Sequence, residues 1–254
     1  MLRSIVELYG LSEKECVFKP FGNGLINHTW LVEYHEEQFI FQKINDTVFT
    51  SPAVIAENLH QLKLYFTLHF PDYLFVNPIA TLQNEEMVFL PGKGYFRMFR
   101  FVKGSVTFDT VNNPAIAFEG ARQFGKFTRL LSSFNTRCLM DTLPDFHNLS
   151  LRFEQFEIAL QLGNKDRIET CQPAIAFIKD QKEIVDNFNK IKLNKNFKKR
   201  VTHHDTKISN VLFDKNGKGL CVIDLDTVMT GYFISDVGDM LRTYLSPANE
   251  EEKD

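Results

Sequence analysis

The chain has 254 residues, of which 44% are hydrophobic, and its formal net charge is −3 at pH 7. This apolar content is sufficient for one large domain or two lobes, and the small net charge argues against a general affinity for nucleic acid or anionic membranes. No apolar run reaches the roughly 20 residues of a membrane-spanning helix, and the N-terminus lacks a signal-peptide pattern, so we expect a soluble cytoplasmic protein. The four cysteines form no CxxC pair, which favours reduced thiols over a disulfide framework or a zinc site.

The first hundred residues have the pattern of strands with one helix. Segments rich in Val, Phe, Trp, Tyr and Ile predict strands at about 16–21, 28–34 and 38–44, separated by a glycine loop and a polar turn. Ser51 as N-cap and Pro52 as the first helical residue predict that a helix begins there. Two further strands are predicted on either side of the turn formers "PGKG".

The rest of the chain is predicted to be mainly helical. One helix begins at "NNP", and two more are expected at about 150–162 and 168–190. The strand "NVLFD", the turn "KNGKG" and the strand "LCVIDLD" then predict a hairpin. Five strands with one helix, followed by a helical part with a late hairpin, predict two unequal lobes with a cleft between them.

The string "HHDTKISN" and the hairpin that follows it define a candidate catalytic centre. Asp205 lies five residues before Asn210, and Asp224 lies near the end of the second hairpin strand. Phosphoryl transfer requires aligned reactants, neutralisation of charge by magnesium and a base near the attacking hydroxyl, and carboxylate and amide oxygens suit Mg²⁺. The pattern therefore predicts a phosphoryl-transfer centre. A zinc site at the two histidines and Asp205 is excluded, because adjacent residues point in different directions and no distant His or Cys completes the set.

The strings "HHDTKISN" and "VIDLD" resemble those of the aminoglycoside phosphotransferase and choline kinase superfamily. "GNGLINHTW", "FIFQKIN", "SPAVIAENL" and "VIDLDTVMTG" resemble its N-acetylhexosamine 1-kinase branch, whose members phosphorylate the anomeric hydroxyl of N-acetylhexosamines with ATP. The resemblance runs from about Leu11 to the end of the chain. It implies an α+β, protein-kinase-like, two-lobed fold, with an antiparallel five-stranded sheet and one helix in the first lobe and a catalytic hairpin in the helical second lobe.

The same resemblance implies lobe boundaries and catalytic roles. The nucleotide-binding lobe is expected at 1–102 and the catalytic lobe at 103–254, the latter truncated because family members are longer. Asp205 is expected to be the catalytic base, with Asn210 and Asp224 as ligands of Mg²⁺. The expected cofactors are therefore ATP and Mg²⁺.

The nucleotide and acceptor contacts are also expectations from the resemblance. Gly22, Asn23 and Gly24 resemble a loop over the phosphates, where glycine lets backbone N–H groups approach closely. Lys43 resembles the strand lysine that contacts the phosphates, and Glu57 resembles its helix partner. The remaining expected contacts are the hinge residues Phe99 and Phe101 for adenine, and Asn27 and His28 for the acceptor.

Several of these assignments have alternatives within the sequence. Gln42 and Lys43 face opposite sides of one strand, so a register shift of one residue would exchange them. Glu57 lies nearly opposite the apolar stripe of its helix, which fits a surface glutamate as well as a second buried face. His28 fits an ordinary strand position as well as a ligand contact. The sequence "DLD" in place of DFG, with no APE motif after it, disfavours a protein kinase.

Three functions are compatible with the sequence. The first is an ATP-dependent sugar kinase, with a small-molecule acceptor and with no nucleic-acid or membrane partner. The second is a kinase for another small alcohol, such as choline, an amino alcohol or an aminoglycoside. The third is a nucleotide-binding pseudokinase, which the intact Asp205, Asn210 and Asp224 disfavour.

Overall fold

The structure is a computed structural model that describes residues 3–22, 24 and 26–246. The chain divides into two compact units, Met1–Thr142 with Arg200–Asp254, and Leu143–Lys199. The lobe boundary expected after residue 102 lies within the first unit and stays a prediction.

A five-stranded antiparallel sheet forms the first part of the chain, as the sequence predicted. The strands are β1 (Cys16–Pro20), β2 (His28–Tyr34), β3 (Glu37–Lys43), β4 (Val88–Leu90) and β5 (Gly94–Arg100). The strand order is β1-β2-β3-β5-β4, and each pair of neighbours is antiparallel. The turn formers of "PGKG" lie between β4 and β5, where the sequence placed a turn.

The two faces of this sheet have different surroundings. On β3, Phe39 and Phe41 are nearly inaccessible and belong to one core cluster with Ile5 of the short helix α1 (Arg3–Val6). Ile40, between them, points to the opposite face and lines a cavity. The odd-numbered positions of β3 therefore face the core, and the even-numbered positions face the cavity.

The helix predicted after Ser51 is present as α2 (Pro52–His69). Its apolar stripe is buried, and Phe66 at the end of the stripe stacks on Phe127, with ring centroids 6.0 Å apart. Ser51 occupies the predicted N-cap position, but its side chain makes no capping hydrogen bond. Proline in the first turn, with φ preset for a helix, accounts for the start of α2 at this point.

The remaining elements of the first unit surround the predicted hairpin. Helix α3 (Pro114–Leu130) begins after Asn113, whose Oδ1 accepts a hydrogen bond from the Ala115 N–H at 2.8 Å. The predicted hairpin is present as β7 paired with β8, whereas the pairing of β6 with β9 was not predicted. These elements are β6 (Arg200–Thr202), β7 (Val211–Phe213), β8 (Gly219–Val222), β9 (Met229–Gly231) and α8 (Phe233–Tyr244). Short 3-10 turns lie at Glu7–Tyr9, Leu131–Ser133, Thr136–Cys138, Ile208–Asn210 and Leu225–Thr227.

The second unit is helical. Its elements are α4 (Leu149–Leu162), α5 (Lys165–Thr170), α6 (Gln172–Asp180) and α7 (Lys182–Leu193). The prediction of one continuous helix at 168–190 was wrong, because the chain leaves the helical ladder at Cys171 and again at Gln181. Proline at position 173 lacks an N–H, which accounts for the first break. Within the described part of the chain, no helix is long and apolar enough to cross a membrane.

Candidate active site

The predicted catalytic motif lies on a loop that buried apolar residues anchor at both ends. Val201 precedes the loop, Ile208 begins the turn that follows it, and both side chains are nearly inaccessible. The Nδ2 of Asn210 donates hydrogen bonds to the main-chain oxygen and to Oδ2 of Asp205, at 2.9 and 2.8 Å. Lys207 Nζ lies 3.4 Å from the same carboxylate oxygen. The structure therefore brings Asp205 and Asn210 into direct contact.

Asp224 reaches the same place from the end of β8. The Ile223 N–H donates to the Asn210 carbonyl oxygen at 2.9 Å, which ties this end of the hairpin to the motif. Asp224 then adopts a left-handed backbone conformation, with φ 58° and ψ 60°, and lines the cavity. Asp224 is exposed to the cavity, where partial desolvation by the surrounding protein, followed by the carboxylates of Asp226 and Asp205, raises its pKa above the usual range of a carboxylate. The three predicted residues are thus neighbours.

This group of oxygen donors is chemically suited to a magnesium ion. Carboxylate and amide oxygens are the ligands that Mg²⁺ prefers, and a cation would relieve the crowding of negative charge around Asp224. Among residues 3–22, 24 and 26–246, no three His, Cys, Asp or Glu side chains are placed to hold a metal by themselves. A site with fewer protein ligands still suits Mg²⁺, because this ion is commonly held by one or two carboxylates together with substrate phosphates.

The two histidines before Asp205 have structural contacts. His203 is buried; its Nε2 donates to the Ile223 carbonyl oxygen at 3.0 Å, and its ring packs edge-on against Phe124. The Asp205 N–H donates to Nδ1 of His203 at 3.3 Å. His204 Nε2 lies 2.6 Å from the Thr202 hydroxyl oxygen. These contacts fix the backbone that carries Asp205.

Two aspartates of α8 hold the same loop by its backbone. Buried Asp236 accepts hydrogen bonds from the His203 N–H through Oδ2 at 2.9 Å, and from the His204 N–H through Oδ1 at 2.8 Å. Asp239 Oδ2 accepts from the Thr206 N–H at 2.6 Å. Because His204 has a positive φ of 68°, the loop conformation is one that the local sequence alone disfavours. The two carboxylates therefore stabilise the predicted catalytic loop from outside it.

A cavity of about 850 Å³ lies between the sheet and these motifs, within the first unit. Gly22 and Gly24 of the predicted phosphate loop both line it, and Gly22 has φ 74°, a conformation that favours glycine. Asn23, the third residue expected in this loop, lies outside the described residues. Apolar lining comes from Ile40, Val76, Leu212 and Ile223.

The expected hinge residues also line the cavity. Phe99 and Phe101 belong to its wall, and the Phe101 ring packs edge-on against Phe21 with centroids 5.9 Å apart. The Phe101 N–H donates to the Gln38 carbonyl oxygen at 3.0 Å. The glycine loop and the hinge therefore meet through their aromatic side chains, at an apolar part of the cavity wall.

The sheet presents Gln42 and Arg97 to the cavity. The two residues are opposite each other on β3 and β5. Gln42 Oε1 accepts hydrogen bonds from Nε and from one terminal nitrogen of Arg97, at 3.0 and 2.8 Å. Arg97 also forms an ion pair with Asp226, with N–O distances of 2.6 and 2.9 Å. The Arg97 and Asp226 side chains are 2% and 3% exposed, so this ion pair is fully buried.

The structure does not bring Lys43 and Glu57 to this cavity. Lys43 is on the core-side face of β3, where its side chain lies over Gly94 near Asp46. Glu57 lies in a separate surface groove and accepts a hydrogen bond from Gln61 Nε2 at 2.8 Å. For Lys43, this placement is the one expected if Lys43 and Gln42 exchange faces by a one-residue register shift. For Glu57, it is the one expected of a surface glutamate.

The two expected acceptor contacts have different positions. Asn27 Nδ2 donates to Asp226 Oδ2 at 2.8 Å, and its Oδ1 accepts from the Asn45 N–H at 3.0 Å, so its amide joins the polar network of the cavity floor. His28 is opposite Lys43 in the sheet register and therefore points away from the cavity. Its ring lies near that of Trp30, with centroids 6.2 Å apart.

A sequence model of the phosphotransferase enzyme family matches residues 17–253. The chain belongs to this family. The match covers the sheet, the motif loop and α8, and it confirms the expected relationship to the aminoglycoside phosphotransferase and choline kinase superfamily. It also confirms that the chain is a phosphotransferase enzyme, whereas the N-acetylhexosamine 1-kinase branch stays a prediction.

Solved structures of other phosphotransferases have the same fold. Spectinomycin phosphotransferase in complex with ADP and spectinomycin superposes with a TM-score of 0.63 at 15% identity, over 93% of this chain and 71% of that one. Amicoumacin kinase with AMP-PNP and Ca²⁺ gives 0.62 at 14% identity, over 95% and 67%. A microcompartment-associated aminopropanol kinase gives 0.57 at 16% identity, over 94% and 73%. At these identities the likeness concerns the fold, and it confirms the expected protein-kinase-like architecture.

In this phosphotransferase, four residues that sequence reasoning did not select are part of the site. Arg97 has a signal in the sequence, since it is a charged residue inside the otherwise apolar strand "YFRMF". Gln42 appeared only as an alternative to its neighbour. Asp236 and Asp239 bind backbone groups more than 30 positions away, so no local pattern reveals them.

Proposed function

We propose that this phosphotransferase is a Mg²⁺- and ATP-dependent kinase that phosphorylates a hydroxyl group of a small molecule. The observation that carries the proposal is the convergence of Asp205, Asn210 and Asp224 at one side of a cavity that also has an apolar wall and two loop glycines. An apolar wall suits a nucleotide base, and a cluster of carboxylate and amide oxygens suits a metal-bound triphosphate.

Each part of the site has a proposed role in this reaction. Asp205 would accept the proton of the attacking hydroxyl and orient it, while Asn210 and Asp224 would hold the metal. When bound, Mg²⁺ would neutralise charge on the transferring phosphate. Gly22 and Gly24 would allow backbone N–H groups near the phosphates, and Phe99, Phe101 and the surrounding apolar residues would contain the adenine.

The loop contacts explain how Asp205 is held ready for this step. Its carboxylate is fixed by Asn210 Nδ2 and faces Lys207, while its backbone is fixed through His203 and Asp236. A base held in one orientation before the acceptor binds contributes to turnover through positioning. The expected lobes, 1–102 for the nucleotide and 103–254 for catalysis, and a cytoplasmic location belong to the same proposal.

The first candidate acceptor is an N-acetylhexosamine, phosphorylated at its anomeric hydroxyl. Support comes from the motifs around the glycine loop and β3 that resemble that branch. An amino alcohol, choline or an aminoglycoside is the second candidate. An ammonium-bearing acceptor would need a carboxylate in the cavity wall, where Asp109 lies together with the cations Lys207 and Arg242.

A panel of acceptors tests the proposal. ADP release would be measured with N-acetylhexosamines, choline, amino alcohols and aminoglycosides, each with Mg²⁺ and with excess EDTA. Acceptor- and Mg²⁺-dependent ADP release is expected, and an acid-labile phosphate on the product would identify the anomeric position. Nucleotide binding without turnover on any acceptor would instead support the pseudokinase alternative.

A further inference from the structure

The guanidinium of Arg97 is held in place by three other side chains. Two of its terminal N–O contacts engage both carboxylate oxygens of Asp226, and its Nε side engages Gln42. The guanidinium also lies over the Phe99 ring, 4.9 Å from the centroid. Its planar set of donors is therefore fixed from three directions, in a geometry that a lysine could not reproduce.

The partner of Arg97 lies next to the proposed metal site. Asp226 is two residues after Asp224, within the turn Leu225–Thr227, and the Thr227 hydroxyl donates to the His203 carbonyl oxygen at 2.7 Å. A contact made by Asp226 therefore constrains the same short segment that presents Asp224. Since Asp226 belongs to this turn and Arg97 to β5, the ion pair links the nucleotide side of the cavity to the metal side.

We propose that Arg97 is a positioning residue, which holds Asp226 and thereby fixes the turn that presents Asp224 to a metal-bound nucleotide. This inference rests on the proposed function. Lys43 and Glu57, which were expected to contact the phosphates and to pair with each other, lie outside the cavity, whereas Arg97 joins the sheet to the segment of Asp224 through Asp226. Gln42 orients the guanidinium, and Asn27 donates a further hydrogen bond to Asp226 Oδ2, which also accepts from Arg97.

The charged groups around Asp224 also support the positioning role of Arg97. Asp205, Asp224 and Asp226 place three carboxylates close together, and Arg97 and Lys207 are the cations that act on Asp224. Arg97 neutralises Asp226 inside the protein, so that Asp224 faces the cavity without a dedicated ion-pair partner of its own among the described ion pairs. Without Arg97, Asp226 would be a buried carboxylate that competes with Asp224 for the cation.

Calorimetry of ADP binding tests this role without depending on turnover. ADP would be titrated into the wild-type chain, Arg97→Lys, the double variant Arg97→Met/Asp226→Asn and Arg122→Met, each with Mg²⁺ and each with EDTA. Arg122→Met is the matched control, since Arg122 forms a surface ion pair with Glu119 at 2.7 Å and is 46% exposed. Melting temperatures of all four proteins establish that they are folded. The double variant removes both charges, so it avoids leaving an unpaired buried carboxylate.

If Arg97 has this positioning role, replacing it should weaken ADP binding only in the presence of Mg²⁺. Arg97→Lys is expected to weaken ADP binding about 10–100-fold with Mg²⁺, the usual effect of losing a residue that orients a metal ligand, and to change it little with EDTA. The double variant should recover melting temperature but not Mg²⁺-dependent affinity, and Arg122→Met should match the wild type.

Three results would overturn the proposal. Equal losses with Mg²⁺ and with EDTA would identify a direct phosphate contact, and full recovery of affinity in the double variant would identify a purely structural ion pair. An Arg97→Lys variant that behaves like Arg122→Met would remove any role. Failure of the proposed function looks different, because then the wild-type chain itself would show no Mg²⁺-dependent ADP binding.

Discussion

Replacing Asp236 by asparagine tests whether a buried carboxylate holds the loop that carries Asp205. Its two oxygens accept the N–H groups of His203 and His204 at 2.9 and 2.8 Å, and the residue is 2% exposed. Asparagine offers one acceptor oxygen and one NH₂ group, so one buried backbone N–H would face another donor. An unsatisfied buried donor costs about 1–3 kcal/mol, and loss of the charge on the other bond adds roughly 1 kcal/mol.

The expected destabilisation is therefore about 2–4 kcal/mol, which for a chain of this size corresponds to a fall in melting temperature of roughly 4–16 °C. Asp214→Asn is the matched control, because Asp214 Oδ1 also accepts two backbone N–H groups, at 2.8 and 2.9 Å, but in the exposed hairpin turn. Asparagine keeps an acceptor oxygen for both N–H groups, and water can reach them in this exposed turn, so a change within about 0.5 kcal/mol is expected. Differential scanning calorimetry would measure the melting temperatures of both variants. Equal melting temperatures for the two would refute the argument from burial.

Three further predictions follow from the placement of single side chains. A thiol reagent at pH 8 is expected to label the exposed Cys138 and Cys171 of the native chain well before Cys221, because burial raises the pKa of Cys221 to about 12; rapid labelling of Cys221 would contradict this. The stability linked to that thiol is complete below its ordinary pKa of 9.0 and is lost as the pH rises toward 12, which urea titrations at pH 8 and 11 would show. Gln42→Ala is expected to weaken Mg²⁺-dependent ADP binding by about tenfold and Lys43→Ala to leave it unchanged, since only Gln42 faces the cavity; the reverse order in calorimetry would restore the role expected for Lys43.

The sheet and the hairpin could be predicted because their signals are local. Runs of β-branched and aromatic residues end at glycine, proline or acidic turns, and the predicted ends of the first three strands match their bounds to within about one residue. The second hairpin strand is shorter than predicted, since β8 ends at Val222 and not at Asp226. The pairing of β6 with β9 joins two three-residue strands through a long connection, and segments this short carry no period. The breaks in the predicted helix at 168–190 differ: a proline explains the first, and nothing in the sequence marks the second at Gln181.

The site was predictable where one short string carried several residues of the motif. Asp205 and Asn210 are such a case, and their contact follows from a single turn. The face on which Lys43 lies was not predictable. Phe39, Ile40 and Phe41 make both faces of the strand apolar, so the sequence does not show which face packs against the core. The sheet register, which only the folded chain defines, turns the neighbouring Gln42 to the cavity instead.

The proposed function makes Asp205 the base of a metal-dependent kinase. A comparison of Asp205→Asn with the wild type, in turnover and in Mg²⁺-dependent ADP affinity on the acceptor that the panel identifies, tests this role directly. Turnover is expected to fall by roughly 10²–10⁴-fold, as for loss of a general base, while ADP affinity stays close to wild type. An Asp205→Asn enzyme that retains most of its turnover would contradict the assignment.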